Sequence, residues 1–397
     1  MAQFSANDPV VILSYARTPM GGMQGALADV SATDLGATAV KASVERAGVA
    51  GDDIERIYMG CVLPAGLGQA PARQAAIAAG IPTAVPCTTV NKVCGSGMKA
   101  VMLAHDAIKA GSASVVVAGG MESMTNAPHL LNGSRTGIRY GAAEMLDHMA
   151  HDGLTNPYDG KAMGVFGDMA CSKYAYDRGT LDAYAAESVK RAQHAVSSGA
   201  FGDEVVPVTV KGRKGDTVVD TDEEPGRIDA AKIPGLRAAF GKEGALTAAT
   251  SSKISDGAAA TVLMSADEAR RRGLQPLARI VAHASHAQAP EWFTTAPVSA
   301  IRKVLDKAGW SVDDVDLFEV NEAFACVSMA PMTDLGIPHD RLNVNGGALA
   351  LGHPIGASGA RLLVTLLHAL RARGGKRGVA SLCIGGGEAT AMAIELA

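Results

Sequence analysis

Two stretches of the chain share one pattern: residues 96–123, SGMKAVMLAHDAIKAGSASVVVAGGMES, and residues 358–389, SGARLLVTLLHALRARGGKRGVASLCIGGGEA. Each begins with Ser-Gly, continues as a helical stretch, passes through a glycine-containing turn into an apolar strand, and ends in Gly-Gly-x-Glu. This internal repeat predicts a duplicated α/β fold in which the two Ser-Gly helix starts, and the two strand ends, lie near a pseudo-twofold axis. Ligand sites commonly gather at such junctions, at the carboxyl ends of strands.

The segments around the repeat complete the domain plan. The first 125 residues alternate β-branched runs with Ala-rich helices, one of them capped by Ser31 or Thr33 and ended by Gly48, which predicts a mainly parallel sheet covered by helices. The middle of the chain is richer in turn residues and charge, as an inserted loop domain would be. The expected parts are an N-terminal half, 1–124 plus 250–276, an inserted loop domain, 125–249, and a C-terminal half, 277–397.

Composition narrows the possible functions. The 397 residues carry a net charge of −4, with an isoelectric point near 6.2, so we expect neither a nucleic-acid partner nor attraction to anionic membranes. The N-terminus lacks the basic region and long apolar run of a signal peptide or membrane span, which predicts a cytoplasmic protein. The six cysteines form no CxxC pair, and the pairs His148/His151 and His283/His286 lack further ligands at suitable spacing, so no metal site is predicted.

A thiol stands at the start of the first repeat. Cys94 directly precedes Gly95-Ser96-Gly97 and a long helix, whose positive end lowers the pKa of a thiol and favours a nucleophile. A structural cysteine at a tight turn is the plainer alternative. The same stretch also matches the loose dinucleotide fingerprint G-x-G-x-x-A with Glu122 further on. Against that reading, CTTVNKV is a poor first strand, and the thiol occupies the place where a pyrophosphate would approach.

Three further residues stand at glycine-rich helix starts or strand ends. His353 precedes Pro354 in the second repeat, where an imidazole can take a proton from a thiol, although a lone histidine is more often structural. Asn321 follows the strand VDLFEV and can hold a water or a carbonyl oxygen, or simply cap a helix. Cys383 ends the second apolar strand, where a core thiol is the alternative. Two thiols and one imidazole suit acyl transfer combined with proton movement at carbon.

Four ordered motifs, NKVCGSGMKA, NEAFA, NVNGGALALGHPIGASGAR and CIGGGEA, resemble those of the thiolases, a family of acyl-CoA C-acyltransferases, across essentially the whole chain. The resemblance implies the α/β thiolase fold: duplicated halves that form a layered αβαβα core, with an inserted loop domain. It implies an acetyl-CoA C-acetyltransferase of the short-chain biosynthetic type, which condenses two acetyl-CoA to acetoacetyl-CoA and coenzyme A or runs the reverse thiolysis. A degradative 3-ketoacyl-CoA thiolase of broader chain length is the alternative.

The resemblance also implies residue roles. Cys94 becomes the acyl-accepting nucleophile, His353 the group that activates it and Cys383 the acid/base thiol. Asn321 positions a water that, with His353, forms one oxyanion hole, and the N–H groups of Cys94 and Gly385 form the other. Coenzyme A contacts are implied for Arg227, Ser252, Met163, Ala323 and Phe324.

Under this resemblance coenzyme A is a substrate and product, and no permanently bound metal or redox cofactor is needed. The partners are acyl-CoA molecules and further copies of the chain. The loop domain would hold coenzyme A and, from LLNGSRTGIRYG onward, form the contact of a homotetramer built as a dimer of dimers.

Several residues depart from the family pattern. Ala162 stands where histidine is frequent, Lys253 replaces a small residue, and Phe293 stands where short-chain members often carry methionine. These departures leave the preferred acyl length open. A β-ketoacyl synthase shares the duplicated fold and a nucleophilic cysteine, but Cys383 in CIGGG and the long insertion argue against it. A noncatalytic thiolase-like scaffold is disfavoured because all three reactive side chains are present.

Overall fold

The computed structural model describes residues 8–397. The N-terminal half begins with a buried strand and a helix that is capped at both ends. Its elements are β1 (Val10–Arg17), β2 (Gly21–Gly22), α1 (Ala32–Ala47), β3 (Arg56–Gly60), α2 (Pro71–Ala78), β4 (Cys87–Val90), α3 (Ser96–Lys109) and β5 (Val115–Ser123). The Ser31 hydroxyl accepts the Asp34 N–H at the start of α1, and Gly48 ends the helix with a φ of 67°. Of the two predicted caps, Ser31 is therefore the one used.

The middle of the chain contains two longer helices and two short hairpins. Its elements are β6 (His129–Leu130), β7 (Leu146–Asp147), α4 (Met163–Tyr174), α5 (Arg178–Ser197), β8 (Val208–Val210) and β9 (Thr217–Val219). A buried ion cluster ties this segment to the core. The Arg17 guanidinium at the end of β1 donates to both Asp222 oxygens, at 2.7 and 2.8 Å, and to Glu204 at 2.5 Å. Such a buried charge needs these partners, so the segment and β1 are coupled.

The chain that follows the insertion again alternates strands and helices. Its elements are β10 (Ser255–Ser265), α6 (Ala266–Arg271), β11 (Ala278–Ala287), α7 (Ala296–Ala308), β12 (Leu317–Val320), α8 (Ala325–Leu335), α9 (Ala348–Leu351), α10 (Ile355–Arg373), β13 (Arg377–Ile384) and β14 (Glu388–Leu396). Of these, β10 and α6 belong to the N-terminal half. No helix in residues 8–397 is both long and apolar enough to cross a membrane.

The strands form one large sheet in the order β12-β13-β14-β11-β1-β10-β5-β3-β4. Within the described residues, parallel pairing in this sheet is confined to β3 with β4, β3 with β5, and β12 with β13. The prediction of a mainly parallel sheet is therefore wrong. Two strands enter by connections that the strand-helix alternation did not reveal: β14 follows β13 through a tight glycine turn, and β10 returns from the insertion to lie between β1 and β5.

The sheet confirms the duplication. In the N-terminal half β3 is parallel to β5, which is antiparallel to β10, which is antiparallel to β1. In the C-terminal half β12, β13, β14 and β11 repeat the same order of directions. The two halves join where β1 pairs antiparallel with β11. An antiparallel pair of equivalent strands is what a pseudo-twofold axis requires.

Helices cover both sides of the sheet in layers. The helices α1 and α2 share one hydrophobic cluster with the N-terminal strands, α7 shares another with β11 and β14, and α3 and α10 pack together between the halves. The two predicted Ser-Gly starts meet there. A Cβ atom on Gly97 would lie 2.8 Å from the Ala360 nitrogen, and one on Gly359 would collide with the Met98 nitrogen. Gly97 thus serves helix packing and Gly95 makes room for the Ile384 side chain, which removes the basis of the dinucleotide-binding alternative.

Candidate active site

The repeat brings the predicted reactive residues to one place. Cys94 lies between β4 and α3, and His353 lies just before α10, which begins at Ile355. Asn321 follows β12 directly, and Cys383 is the penultimate residue of β13. Gly385 opens the turn from β13 to β14. Four chain segments from the two halves therefore supply one cluster, at strand ends and helix starts as the sequence predicts.

The two thiols are close enough to influence each other electrostatically. The backbone N–H of Gly385 interacts with the Cys94 thiol and lowers its pKa, as does the N–H of Cys94 itself. The negative charge of a Cys94 thiolate raises the pKa of Cys383. The Asn321 amide nitrogen lies 3.3 Å from the His353 Nε2 atom. The structure therefore pairs the Cys94 thiol with Cys383 and the Gly385 N–H, and pairs the Asn321 amide with the His353 imidazole.

The pKa of the Cys94 thiol differs from the lowered value that its position at a helix start predicts. Burial raises the pKa of this thiol to about 11, which outweighs the Gly385 and Cys94 N–H groups, while the Glu122 carboxylate raises it further. The prediction that the helix start lowers this pKa is wrong. In this enclosed position desolvation of a thiolate exceeds the favourable effect of the helix end. The thiol is thus protonated at neutral pH and needs a base.

His353 has the protonation state that a base requires. Burial, together with the positive charge of Arg361, lowers the pKa of the imidazole to about 3, so it is neutral at pH 7. Its Nδ1 atom lies 2.6 Å from the Ser358 hydroxyl, which also lies 2.8 Å from the Pro354 carbonyl. Since the hydroxyl has a single proton and a carbonyl only accepts, Ser358 donates to Pro354 and accepts from Nδ1–H. Nε2 is therefore unprotonated, and its lone pair, 3.3 Å from the Asn321 amide nitrogen, is the position that can take a proton.

Ser358 was not identified from the sequence, although it begins the repeated Ser-Gly pair. We predict that Ser358→Ala lowers kcat roughly tenfold, because it frees the imidazole tautomer and leaves a buried N–H without its partner. KM should change little, since the hydroxyl contacts His353 and the Pro354 carbonyl and does not line the cavity. Steady-state thiolysis rates separate the two constants.

Ser358→Thr should restore most of the rate. Ser381→Ala, which removes a buried hydroxyl bonded to the Thr390 carbonyl, is the matched control, and an equal loss in it would contradict the positioning role.

Two buried carboxylates hold the segments together. Glu122, at the end of β5, accepts the N–H groups of Val62 at 3.0 Å, Leu63 at 3.1 Å and Gly356 at 2.8 Å. It thereby fixes the start of α10, three residues after His353, to the N-terminal half. Burial raises the pKa of this carboxyl to about 7 against those three donors. The Gly-Gly-x-Glu ending of the repeat marks Glu122 in the sequence. The backbone groups that Glu122 binds could not be predicted from the spacing.

Glu322 plays the corresponding part next to Asn321. One Glu322 oxygen lies 3.0 Å from both the Tyr184 hydroxyl and the Asn343 amide nitrogen. The other lies 2.7 Å from the Ser188 hydroxyl. The Leu349 N–H donates to it as well, at 3.2 Å. The carboxylate therefore joins α5 of the insertion to the NEAFA segment and the glycine-rich loop. Asn321 itself does not cap a helix, because α8 begins after Phe324.

A cavity of about 270 Å³ opens beside His353. Its lining consists of Met124, Leu154, Ala162, Met163, Gly164, Phe240, Ser251, Ser252, Lys253, Ile254, Phe324, His353 and Ile355. Three of the predicted coenzyme A contacts, Met163, Ser252 and Phe324, line it. Ala323 lies behind the lining, where its carbonyl accepts the Ser252 N–H at 3.0 Å. Arg227 is half-exposed outside this lining and pairs with Glu223 and Glu224.

Lys253 brings a positive charge to the cavity. Its ammonium donates to the Ala248 carbonyl at 2.5 Å, and its own carbonyl accepts the His353 N–H at 3.0 Å. Burial lowers the pKa of this lysine, and the Glu224 carboxylate opposes the shift. Glu224 is thus close to both Lys253 and Arg227. The lysine that departs from the family pattern fixes the backbone of His353 and faces the cavity.

Comparison with known proteins identifies the family. A family model described as the thiolase N-terminal domain matches residues 10–267, and one described as the thiolase C-terminal domain matches residues 274–396. The chain belongs to the thiolase family. The family suggested by the four sequence motifs is thereby confirmed, and this thiolase is an acyltransferase.

Curated relatives match this thiolase over nearly its whole length. An acetyl-CoA acetyltransferase of Chromobacterium violaceum is 50% identical over 388 residues, which are 97% of this chain and 99% of the relative. Acetyl-CoA acetyltransferase 2 of Arabidopsis thaliana is 50% identical over 98% of this chain and 97% of its own. A crystal structure of the Acat5 thiolase of Ascaris suum in complex with coenzyme A has a TM-score of 0.93 and 41% identity, covering 98% of this chain and all of that one.

Proposed function

We propose that this thiolase is an acetyl-CoA C-acetyltransferase that joins two acetyl-CoA into acetoacetyl-CoA and coenzyme A, or cleaves acetoacetyl-CoA in reverse. The observation that carries the proposal is a pair of interacting thiols, Cys94 and Cys383, together with the contact between Asn321 and His353, whose imidazole lines an apolar cavity. The relatives of about half identical sequence, named acetyl-CoA acetyltransferases, support it. Coenzyme A is then a substrate and product, and the proposal needs no resident cofactor.

The first half-reaction forms an acyl-enzyme. The Cys94 sulfur attacks the thioester carbonyl of acetyl-CoA while its proton moves to His353 Nε2. The N–H groups of Cys94 and Gly385 stabilise the oxyanion, and the carbonyl carbon then expels the coenzyme A thiolate, which takes the proton of Cys383. Both the thiol and the imidazole start neutral, since the pKa of Cys94 is about 11 and that of His353 about 3. Charge therefore develops only during reaction, where the donors are placed to meet it.

The second half-reaction forms the carbon–carbon bond. The Cys383 thiolate takes an α-proton from a second acetyl-CoA, and the resulting enolate is stabilised by protonated His353 and a water held by Asn321. The carbanion attacks the acetyl group on Cys94, whose sulfur leaves and recovers its proton from His353. Burial raises the pKa of Cys383 well above its ordinary value. Once deprotonated it is a strong base, as removal of a proton from carbon requires.

Short acyl groups are favoured by the aromatic residues around Cys383. Phe293 and Phe324 are buried in one hydrophobic cluster with Cys383, and Met163 packs against that cluster. The two rings meet edge to face, with centroids 6.5 Å apart. An acyl chain that extended past Cys383 would have to displace these rings. We therefore propose the acetyl-specific reaction rather than the broader degradative one. Arg227, Ser252, Met163, Ala323 and Phe324 remain the proposed coenzyme A contacts.

A thiolysis panel tests this function. We expect cleavage of acetoacetyl-CoA by free coenzyme A, with kcat/KM at least roughly tenfold lower for the eight-carbon 3-ketoacyl-CoA, because one or two methylenes in a closed pocket already cost about 1–3 kcal/mol. Loss of the 3-ketoacyl-CoA enolate absorbance follows the reaction. No turnover on any chain length would overturn the activity. Equal or higher kcat/KM on long substrates would favour the degradative alternative.

We also propose that residues 125–249 form the coenzyme A-binding loop domain and that four chains assemble through it, as a dimer of dimers. Supporting this, the excursion after β6 exposes several large apolar side chains, Leu131, Ile138, Tyr140 and Met145. Exposed apolar groups in one segment are typical of an interface. All six cysteines are free, which supports a reducing compartment and the proposed cytoplasmic location. The molar mass in solution tests the tetramer.

A further inference from the structure

Three side chains with metal-binding atoms meet outside the active site. His105 and Asp106 lie near the end of α3, and His283 lies in β11. The His283 Nε2 atom is 2.9 Å from Asp106 Oδ1 and 3.2 Å from His105 Nδ1, and the latter two atoms are 3.0 Å apart. The imidazole rings stand at 86° to each other. One atom from each side chain therefore occupies a corner of a small triangle.

The size of this triangle fits a divalent ion. With edges of 2.9, 3.0 and 3.2 Å, a point about 2.1 Å from all three corners lies about 1 Å out of their plane, and 2.1 Å is close to the usual zinc–nitrogen and zinc–oxygen distance. Two imidazoles and one carboxylate on one face of an ion leave its other positions for water. Nitrogen ligands favour zinc, nickel or copper over magnesium and calcium.

Hydrogen bonds alone match the triangle poorly. If both imidazole nitrogens carry protons, two N–H groups face each other across 3.2 Å. If one of them is unprotonated, its lone pair faces the carboxylate oxygen. An ion beside the triangle receives all three lone pairs at once. A neutral imidazole and an ionised carboxylate are the forms that bind metal.

We propose that His105, Asp106 and His283 form a site for Zn²⁺ or a divalent ion of similar ligand preference. Ions can reach it, because the Asp106 side chain is 53% exposed and the two imidazoles are 15% and 17% exposed. The neighbouring ammonium of Lys109 donates to the Asp8 carbonyl at 2.8 Å. His105 is nine residues from the start of α3, about 13 Å along the helix. The ion therefore joins α3 to β11 of the other half at a distance from Cys94.

The pairing differs from the histidine spacing in the sequence. The pair His283/His286 is separated by three residues, and in β11 such residues point to opposite faces of the sheet. His286 instead lies 3.0 Å from Gln288 and 3.1 Å from the Lys303 ammonium. The partner of His283 is His105, 178 positions away. A spacing rule along the chain could not have found this group.

Equilibrium dialysis of the purified chain against Zn²⁺, with elemental analysis, tests the site. The measurement is best made in a Cys94→Ala background, because active-site thiols also bind zinc. We expect about one ion per chain, at least a tenfold weaker apparent Kd in His283→Ala and in Asp106→Asn, and no change in His286→Ala. Asp106 is exposed, so Asp106→Asn should not disturb folding. Co²⁺ should give visible bands without the near-ultraviolet absorption of a thiolate ligand.

Three other outcomes would contradict a zinc site at His105, Asp106 and His283. The proposal is overturned if no Zn²⁺ above the level of His283→Ala is retained, or if Asp106→Asn and His286→Ala weaken binding equally. Thiolate absorption from bound Co²⁺ would place the ion at another cysteine. Thiolysis by the His283→Ala and Asp106→Asn chains with Cys94 intact should stay near the unsubstituted rate, which shows that these variants are folded.

Discussion

Replacing Cys94 by alanine is expected to lower the thiolysis of acetoacetyl-CoA by roughly 10⁴-fold or more. The sulfur that attacks the thioester is removed, and Cys383 cannot replace it from the same side, because Cys383 lies on a different strand and burial raises its pKa well above the ordinary value. Rates of thiolysis and of condensation should fall together, since both pass through the acyl-enzyme. Mass spectrometry after incubation with acetyl-CoA should show an acetyl group on the unsubstituted chain and none on Cys94→Ala.

Cys87→Ala is the matched control for this variant. Cys87 is a partly exposed thiol at the start of β4, seven residues before Cys94, and its sulfur donates to the Val85 carbonyl. It should retain the full rate and the acetyl adduct. An acetyl adduct of equal yield on Cys94→Ala would mean that a different residue is the nucleophile. Unchanged turnover in that variant would remove the covalent mechanism altogether.

The duplicated architecture could be predicted because the repeat carries both a helix start and a strand end. The caps of α1, Ser31 and Gly48, could also be predicted from the sequence. The direction of the strands could not be predicted, because it depends on which strands become neighbours in the sheet. The place of β10 between β1 and β5 is decided by pairing across more than a hundred residues. No local period encodes that choice.

For the site, the sequence predicted the reactive atoms better than their environment. The three reactive residues stand beside glycines and helix starts, which the sequence shows directly. They are Cys94, His353 and Cys383. The pKa of Cys94 was predicted in the wrong direction because burial depends on what packs against the thiol, including the cluster that contains Met149 of the insertion and Gly385 of the β13–β14 turn. The parts of Ser358, Glu122 and Glu322 were missed because they act through partners remote in the chain or on a neighbouring turn.

The second large effect concerns Cys383. In Cys383→Ala the acylation of Cys94 should persist, because attack on the thioester needs Cys94, His353 and the two backbone N–H groups. The expelled coenzyme A thiolate is a stable anion that can take its proton from water instead of from Cys383. Condensation should fall by about 10³-fold, the usual contribution of a positioned acid or base. Loss of this thiol removes the group that takes the α-proton. Deuterium uptake into the methyl group of acetyl-CoA in D₂O should fall in the same proportion as condensation.

Cys326→Ala separates proton transfer from packing. Cys326 is a buried thiol in the same hydrophobic cluster as Cys383, close enough for the charge of Cys383 to raise its pKa, and its sulfur donates to the Gly167 carbonyl. It should keep both condensation and deuterium exchange to within a few-fold. If Cys383→Ala condensed acetyl-CoA as fast as this control, the base would have to be another group. If it lost the acetyl adduct as well, Cys383 would be needed for acyl transfer at sulfur, and the division of labour between the two thiols would be wrong.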